Sequence, residues 1–134
     1  MQYGQERILP VAPLNIPRSI SRILVLEDNF IIAMEAEDIL RSLGVEHVEI
    51  ATKVAQAMIL ISEQAFDFAL LDVDLGGETS FEFAHALMTS GVAFGFVSGY
   101  GEDVVFPASL QEMPRISKPF NENSISRLLT AAAG

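Results

Sequence analysis

At 134 residues, with half of them apolar, no cysteine and a formal net charge of -10, the chain is sized for one core and is too apolar to be disordered throughout. Lack of cysteine excludes disulfides and thiolate metal sites and fits a reducing cytoplasm. The acidic balance, offset by no lysine or arginine run, argues against direct contact with a nucleic-acid backbone.

No apolar stretch reaches the roughly 18 residues of a membrane span, and the N-terminus lacks the uninterrupted apolar core of a secretion signal. Residues 1–20 contain Pro10, Pro13 and Pro17, which forbid a continuous helix. Ile8, Leu9, Val11, Leu14 and Ile16 are too apolar for a purely solvated tail. The segment reads as an arm lying on a surface or as a frayed leader, ahead of a domain spanning 21–134.

From Ile23 the run "ILVL" is short and rich in β-branched residues, as in a strand covered on both faces, and it stops at Glu27-Asp28. Ile32, Ala36, Ile39, Leu40 and Leu43 follow at helical spacing, with Gly44 as the C-cap. "VEHVEIA" supplies a second strand. Thr52 is placed to cap a helix through about Gln64 that carries Val54, Met58 and Ile61. "FDFALLD" makes a third strand, a Gly-Gly loop follows, and Phe81, Ala84, Leu87 and Met88 make the next helical stripe. "VAFGFVS" is the fourth strand. Pro107 then disfavours an unbroken helix in "GEDVVFPASLQEMP" by about 3 kcal/mol, so a fourth helix there is short or broken. A brief "RISK" strand and a final helix around Ile125, Leu128 and Leu129, started by Asn121 or Ser124, complete the chain.

Strands alternating with helices at this spacing imply right-handed βαβ crossovers and a parallel sheet with helices on both faces. The fold class is α/β, a flavodoxin-like doubly wound five-stranded parallel sheet in the order 2-1-3-4-5. That order gathers the strand ends on one rim, with the ligand crevice between strands one and three. Four apolar runs end there in polar groups: Glu27-Asp28, Asp72, Ser98 and Lys118. Three carboxylates so close repel one another and raise their own pKa values unless a cation intervenes. Mg2+, which takes carboxylate, carbonyl and water oxygens and often a substrate phosphate, suits Glu27, Asp28 and Asp72. Asp72, central on the rim, is the carboxylate placed to attack phosphorus and become an acyl phosphate, with Lys118 and Ser98 holding the phosphoryl oxygens. His47, in a strand, and His85, on a helix, are read as structural.

The acidic pair Glu27-Asp28, "LLDVDL" around Asp72, "VSG" at Ser98 and "KPF" at 118–120 resemble, in order, the receiver domain of two-component response regulators. The resemblance covers about residues 21–132. It implies phosphotransfer from the phosphohistidine of a sensor kinase or phosphotransfer protein to Asp72, with Mg2+ required. It also implies the backbone carbonyl of Asp74 as a further metal ligand and a cis bond at Lys118-Pro119. "FVSGYG" at 96–101 is similar to Phe-Ala-Thr-Gly-Tyr-Gly in a subgroup of single-domain receivers, which puts Tyr100 near the phosphate. Receivers usually carry an aromatic switch residue three positions before the lysine; here that position is Arg115. The expected mobile element is instead the Pro107-containing segment, ordered when Ser98 moves toward the phosphate.

The chain ends at Gly134, which reads as a stand-alone receiver, a signalling domain rather than an enzyme, that acts through protein contacts. Its expected partners are the phosphodonor, a downstream protein target and a second copy of the chain. The exposed contact is expected near Val104, Val105 and Phe106. Two other readings compete: a pseudo-receiver that binds without the phosphate cycle, and a phosphatase of the haloacid dehalogenase type, suggested by the "DVD" spacing of Asp72 and Asp74.

Overall fold

Along the first strand, β1 (Arg22–Leu26), successive side chains enter two separate cores. Ile23 and Val25 pack with Val48, Phe68, Leu70, Ile125 and Leu129 on one side of the sheet. Leu24 and Leu26 pack with Ala69, Leu71, Phe83 and Phe96 on the other. A strand buried on both faces has no polar face to alternate with, which is why "ILVL" reads as a continuous apolar run. The computed structural model describes residues 20–99 and 104–133.

After β1 come α1 (Phe30–Ser42), β2 (His47–Ala51), α2 (Val54–Glu63), β3 (Phe68–Asp72), α3 (Phe81–Ser90), β4 (Ala93–Ser98), a 3-10 turn (Ala108–Leu110), β5 (Arg115–Ser117) and α4 (Glu122–Ala133). All strand pairings are parallel and the sheet order is β2-β1-β3-β4-β5, the doubly wound order expected from the alternation. The faces of α1 and α4 bearing Ala33, Ala36, Leu40, Ile125 and Leu128 fill one core. Ala57 of α2 and Phe83, Ala84 and Leu87 of α3 fill the other.

Local chemistry sets the helix ends. Asn29 caps α1, its side-chain oxygen accepting from the amides of Ile31 (3.0 Å) and Ile32 (3.3 Å), donors that the helix itself cannot satisfy. At the other end Gly44 adopts φ +100°, the left-handed conformation that ends helices. At α4, Asn121 accepts from the Ser124 amide and the Ser124 hydroxyl accepts from the Asn121 amide, both at 2.9 Å. The two candidate starters of that helix therefore form one reciprocal cap.

The weak helix between β4 and β5 is a single 3-10 turn among the described residues, with Pro107 immediately before it. On α2 the N-cap is Lys53, not Thr52; the Thr52 amide instead donates to Gln56 Oε1 at 2.9 Å. Met58 and Met88, placed by periodicity on buried stripes, are 42% and 44% exposed, because short alanine-rich turns let Ala57 and Ala84 make the contact with the sheet. Phe106, expected at a surface contact, is buried, whereas Val105 is 85% exposed.

Where α4 crosses β4, the strand carries Gly95. A Cβ there would stand 2.7 Å from Leu128 Cδ1 and 2.8 Å from its Cγ, closer than carbon atoms pack. The missing side chain lets the helix settle onto the strand that ends in Ser98. Of the proposed arm, only Ile20 is described, and it is buried in the α1/α4 core. No helix among the described residues is long and apolar enough to cross a membrane.

Candidate functional site

The register brings the strand ends together. Asp72, the last residue of β3, lies opposite Val97, so Ser98 stands one step further along the neighbouring strand. Ser98 in turn lies opposite Ser117, and its carbonyl accepts the Lys118 amide at 2.8 Å. On the other side of β3, the amide of Glu27, just past β1, donates to the Ala51 carbonyl at 3.0 Å. Thus β1, β3, β4 and β5 each deliver a polar residue to one edge, as switch-point topology requires.

Glu27, Asp28 and Asp72 each offer a carboxylate oxygen within 4.8 Å of the other two. Glu27 and Asp72 are buried, while Asp28 is exposed. Lys118 Nζ reaches both buried acids, at 2.9 Å from Glu27 Oε1 and 3.3 Å from Asp72 Oδ2. The second Glu27 oxygen accepts the Asn29 amide at 3.0 Å, so Glu27 is held through both of its oxygens.

Burial and then the Glu27 charge push the Asp72 carboxyl up from its ordinary 3.8 to about 7; Lys118 opposes them without prevailing. Desolvation penalises the charged form, and a like charge adds to that penalty. Burial also pulls the Lys118 ammonium down, but its hydrogen bond to Glu27 and the charges of Asp72 and Glu27 outweigh this and hold it above its ordinary value. One ammonium shared between two buried acids leaves excess negative charge on the rim, with exposed Asp28 adding more.

The donor set fits a hard divalent cation: carboxylate oxygens of exposed Asp28 and buried Asp72, with Glu27 beside them and already tethered. Asp74 lies in the loop just past β3. Its carboxylate accepts the Gly76 amide at 3.1 Å. Its bridge to Thr79 runs through the neighbouring groups, Leu75 N to Glu78 O at 2.8 Å and Ser80 N to Val73 O at 3.1 Å, and does not use the Asp74 carbonyl. The Asp74 side chain is therefore engaged in shaping the loop. The Lys118-Pro119 bond is cis. Tyr100 lies outside the described residues.

Sequence reasoning missed two residues of this rim. Asn29 was legible as a helix cap, but its second part, the amide that fixes Glu27, depends on a turn with no sequence signature. Gly76, at φ +72°, lies where a Cβ would stand 3.1 Å from Asp28 Oδ2; "GG" announced a loop and not its approach to an acid. The histidines stand apart from the rim, His47 beside Glu49 at 2.9 Å and His85 Nε2 2.7 Å from the Ser109 hydroxyl.

Comparison with known proteins gives a consistent picture. Residues 23–130 match the family model described as response regulator receiver domain. The sensory transduction protein LytT of Bacillus subtilis is 27% identical over 111 residues, covering 81% of this chain and 46% of LytT, so the chain spans about half that relative's length. The solution structure of SdrG from Sphingomonas melonis Fr1 is 33% identical with a TM-score of 0.78, covering 88% of this chain and 100% of SdrG. The BeF3-activated conformation of SdrG is 34% identical with a TM-score of 0.73, covering 87% of this chain and 98% of that one.

Proposed function

Since the chain belongs to the response regulator receiver domain family of two-component signal transduction, we propose that it accepts a phosphoryl group on Asp72 from the phosphohistidine of a sensor kinase or phosphotransfer protein. In the step, an Asp72 carboxylate oxygen forms a bond to phosphorus as the P–N bond to the donor imidazole breaks, the bonding pair staying on the ring nitrogen, which takes a proton from solvent. Lys118, already beside Asp72, follows the transferring oxygens, and Ser98 faces them from β4. Asp28, Asp72 and the Asp74 carbonyl, with Glu27 beside them, would hold a Mg2+, which would supply the remaining positive charge.

The observation that carries this reading is the meeting of three carboxylates and one lysine from different strand ends at a partly buried edge. Of the "DVD" pair, the second carboxylate accepts the Gly76 amide at 3.1 Å. For the donor's docking face we assign the start of α1, where Phe30, Ile31 and Met34 are 53%, 70% and 45% exposed. They adjoin a cleft of about 300 Å³ lined by Ile32, Glu35, Lys118, Pro119 and Phe120. Apolar side chains around an acidic pocket suit a helix that presents a phosphohistidine between apolar neighbours.

Intact-mass measurement with Mg2+ and a small phosphodonor tests the assignment. One phosphoryl adduct on the wild type, absent from Asp72→Ala and strongly reduced in Lys118→Ala, is the expected result. An adduct that survives in Asp72→Ala, or none on the wild type, overturns it; the second outcome favours the pseudo-receiver reading.

A further inference from the structure

The stretch 104–113 between β4 and β5 has little internal structure to hold it. Among the described residues, its backbone hydrogen bonds are those of one turn, such as Leu110 N to Pro107 O at 2.9 Å and Met113 N to Leu110 O at 3.2 Å. Side-chain anchors add to these. Phe106 and Leu110 are buried in the α2/α3 core. The Phe106 ring sits 5.1 Å from that of Phe96 at 70° and 5.2 Å from that of Phe81, edge-to-face and tilted contacts of the favourable kind.

Arg115 closes this arrangement from outside. Its guanidinium carbon lies 3.7 Å above the centre of the Phe106 ring, and its terminal nitrogen donates to the Gln111 carbonyl. It lies opposite Phe96 in the β4–β5 register. One exposed side chain thus touches the segment at both ends of its turn and rests on the ring that packs against β4. Guanidinium is suited to this, being planar enough to stack and forked enough to donate while stacked. A phenylalanine at 115 supplies a plane without donors, and a tyrosine a plane with a single O–H at its far end.

We propose that Arg115 is a positioning residue that pins the 104–113 segment to the sheet through Phe106 and Gln111, and that the Phe96–Phe106–Arg115 stack couples the segment to the strand ending in Ser98. The coupling rests on the phosphoacceptor reading of Asp72; the pinning does not.

Amide hydrogen exchange on the intact chain tests both, for the wild type, Arg115→Ala and Arg115→Lys, with and without Mg2+ and beryllofluoride. In the unliganded state Arg115→Ala is expected to speed exchange across 104–113 on the order of tenfold, with β3 amides unchanged. Arg115→Lys should fall between the two, since an ammonium keeps the attraction to the ring and loses the flat stack. With Mg2+ and beryllofluoride the wild type should change its protection over 104–113, and Arg115→Ala should take up beryllofluoride without that change. Equal unliganded exchange in wild type and Arg115→Ala overturns the pinning. Equal ligand-dependent protection in the two overturns the coupling. Failure of the wild type to take up beryllofluoride sinks the phosphoacceptor reading and, with it, the coupling, while the unliganded comparison still decides the pinning.

Discussion

Replacing Asp72 by asparagine should make the metal-free protein more stable at neutral and alkaline pH while abolishing its proposed activity. Burial beside Glu27 raises the Asp72 carboxyl from 3.8 to about 7. Between those values the folded state holds a proton that the unfolded chain has released, so stability is full below pH 3.8 and falls as pH rises through about 7. The slope is about 1.4 kcal/mol per pH unit, which gives a loss of about 3 kcal/mol between roughly pH 5 and pH 8.

The amide of the Asp72→Asn variant has no such proton to lose. The difference between wild type and Asp72→Asn isolates the term, because groups away from the rim contribute equally to both. Urea unfolding with a chelator, repeated across that range, provides the assay. With slopes of about 1–3 kcal/mol per molar urea for a small domain, the variant's midpoint should move ahead of the wild type's by roughly 1 M or more by pH 8. Millimolar Mg2+ should close the gap by restoring the wild type, since a cation between the carboxylates removes the penalty for ionising them. A difference curve flat with pH, or one that favours the wild type as pH rises, refutes the reasoning.

Lys118→Ala removes the one cation that, among the described residues, the two buried acids share; the Asp72 carboxyl should titrate still higher, and stability at pH 8 should drop by about 3 kcal/mol, as read by NMR titration and urea unfolding. Gly95→Ala puts a methyl against Leu128 and should cost about 1–3 kcal/mol in the same unfolding assay; a neutral result means that α4 shifts freely on β4. Ile31→Asp, at a position 70% exposed, should change stability by no more than about 0.5 kcal/mol. It should leave labelling by a small phosphodonor intact and slow transfer from a phosphohistidine protein by about tenfold or more; equal slowing with both donors would remove α1 as the docking face.

The fold was legible because the three central strands are covered on both faces. "ILVL", "FALL" and "FGFV" announce burial without alternation, and the helices between them leave only parallel crossovers. The rim was legible for a related reason: an apolar run can end on Asp72 or Lys118 only where water or a counter-charge meets it, and the switch-point rule says where those ends gather. What stayed hidden depends on distances across the chain. Periodicity could not show that alanines take the inner contact on α2 and α3 and leave Met58 and Met88 outside. Arg115 announced a missing aromatic in the sequence, yet its partner Phe106 is nine residues away across a turn whose path no local pattern encodes.

Asn29 belongs to two structures at once. Its side chain secures the opening turn of α1, and its amide grips the carboxylate of Glu27. The apolar residues of that turn and the acid behind it therefore share a mechanical joint. Any displacement of the first turn of α1 would therefore carry with it the amide that holds Glu27.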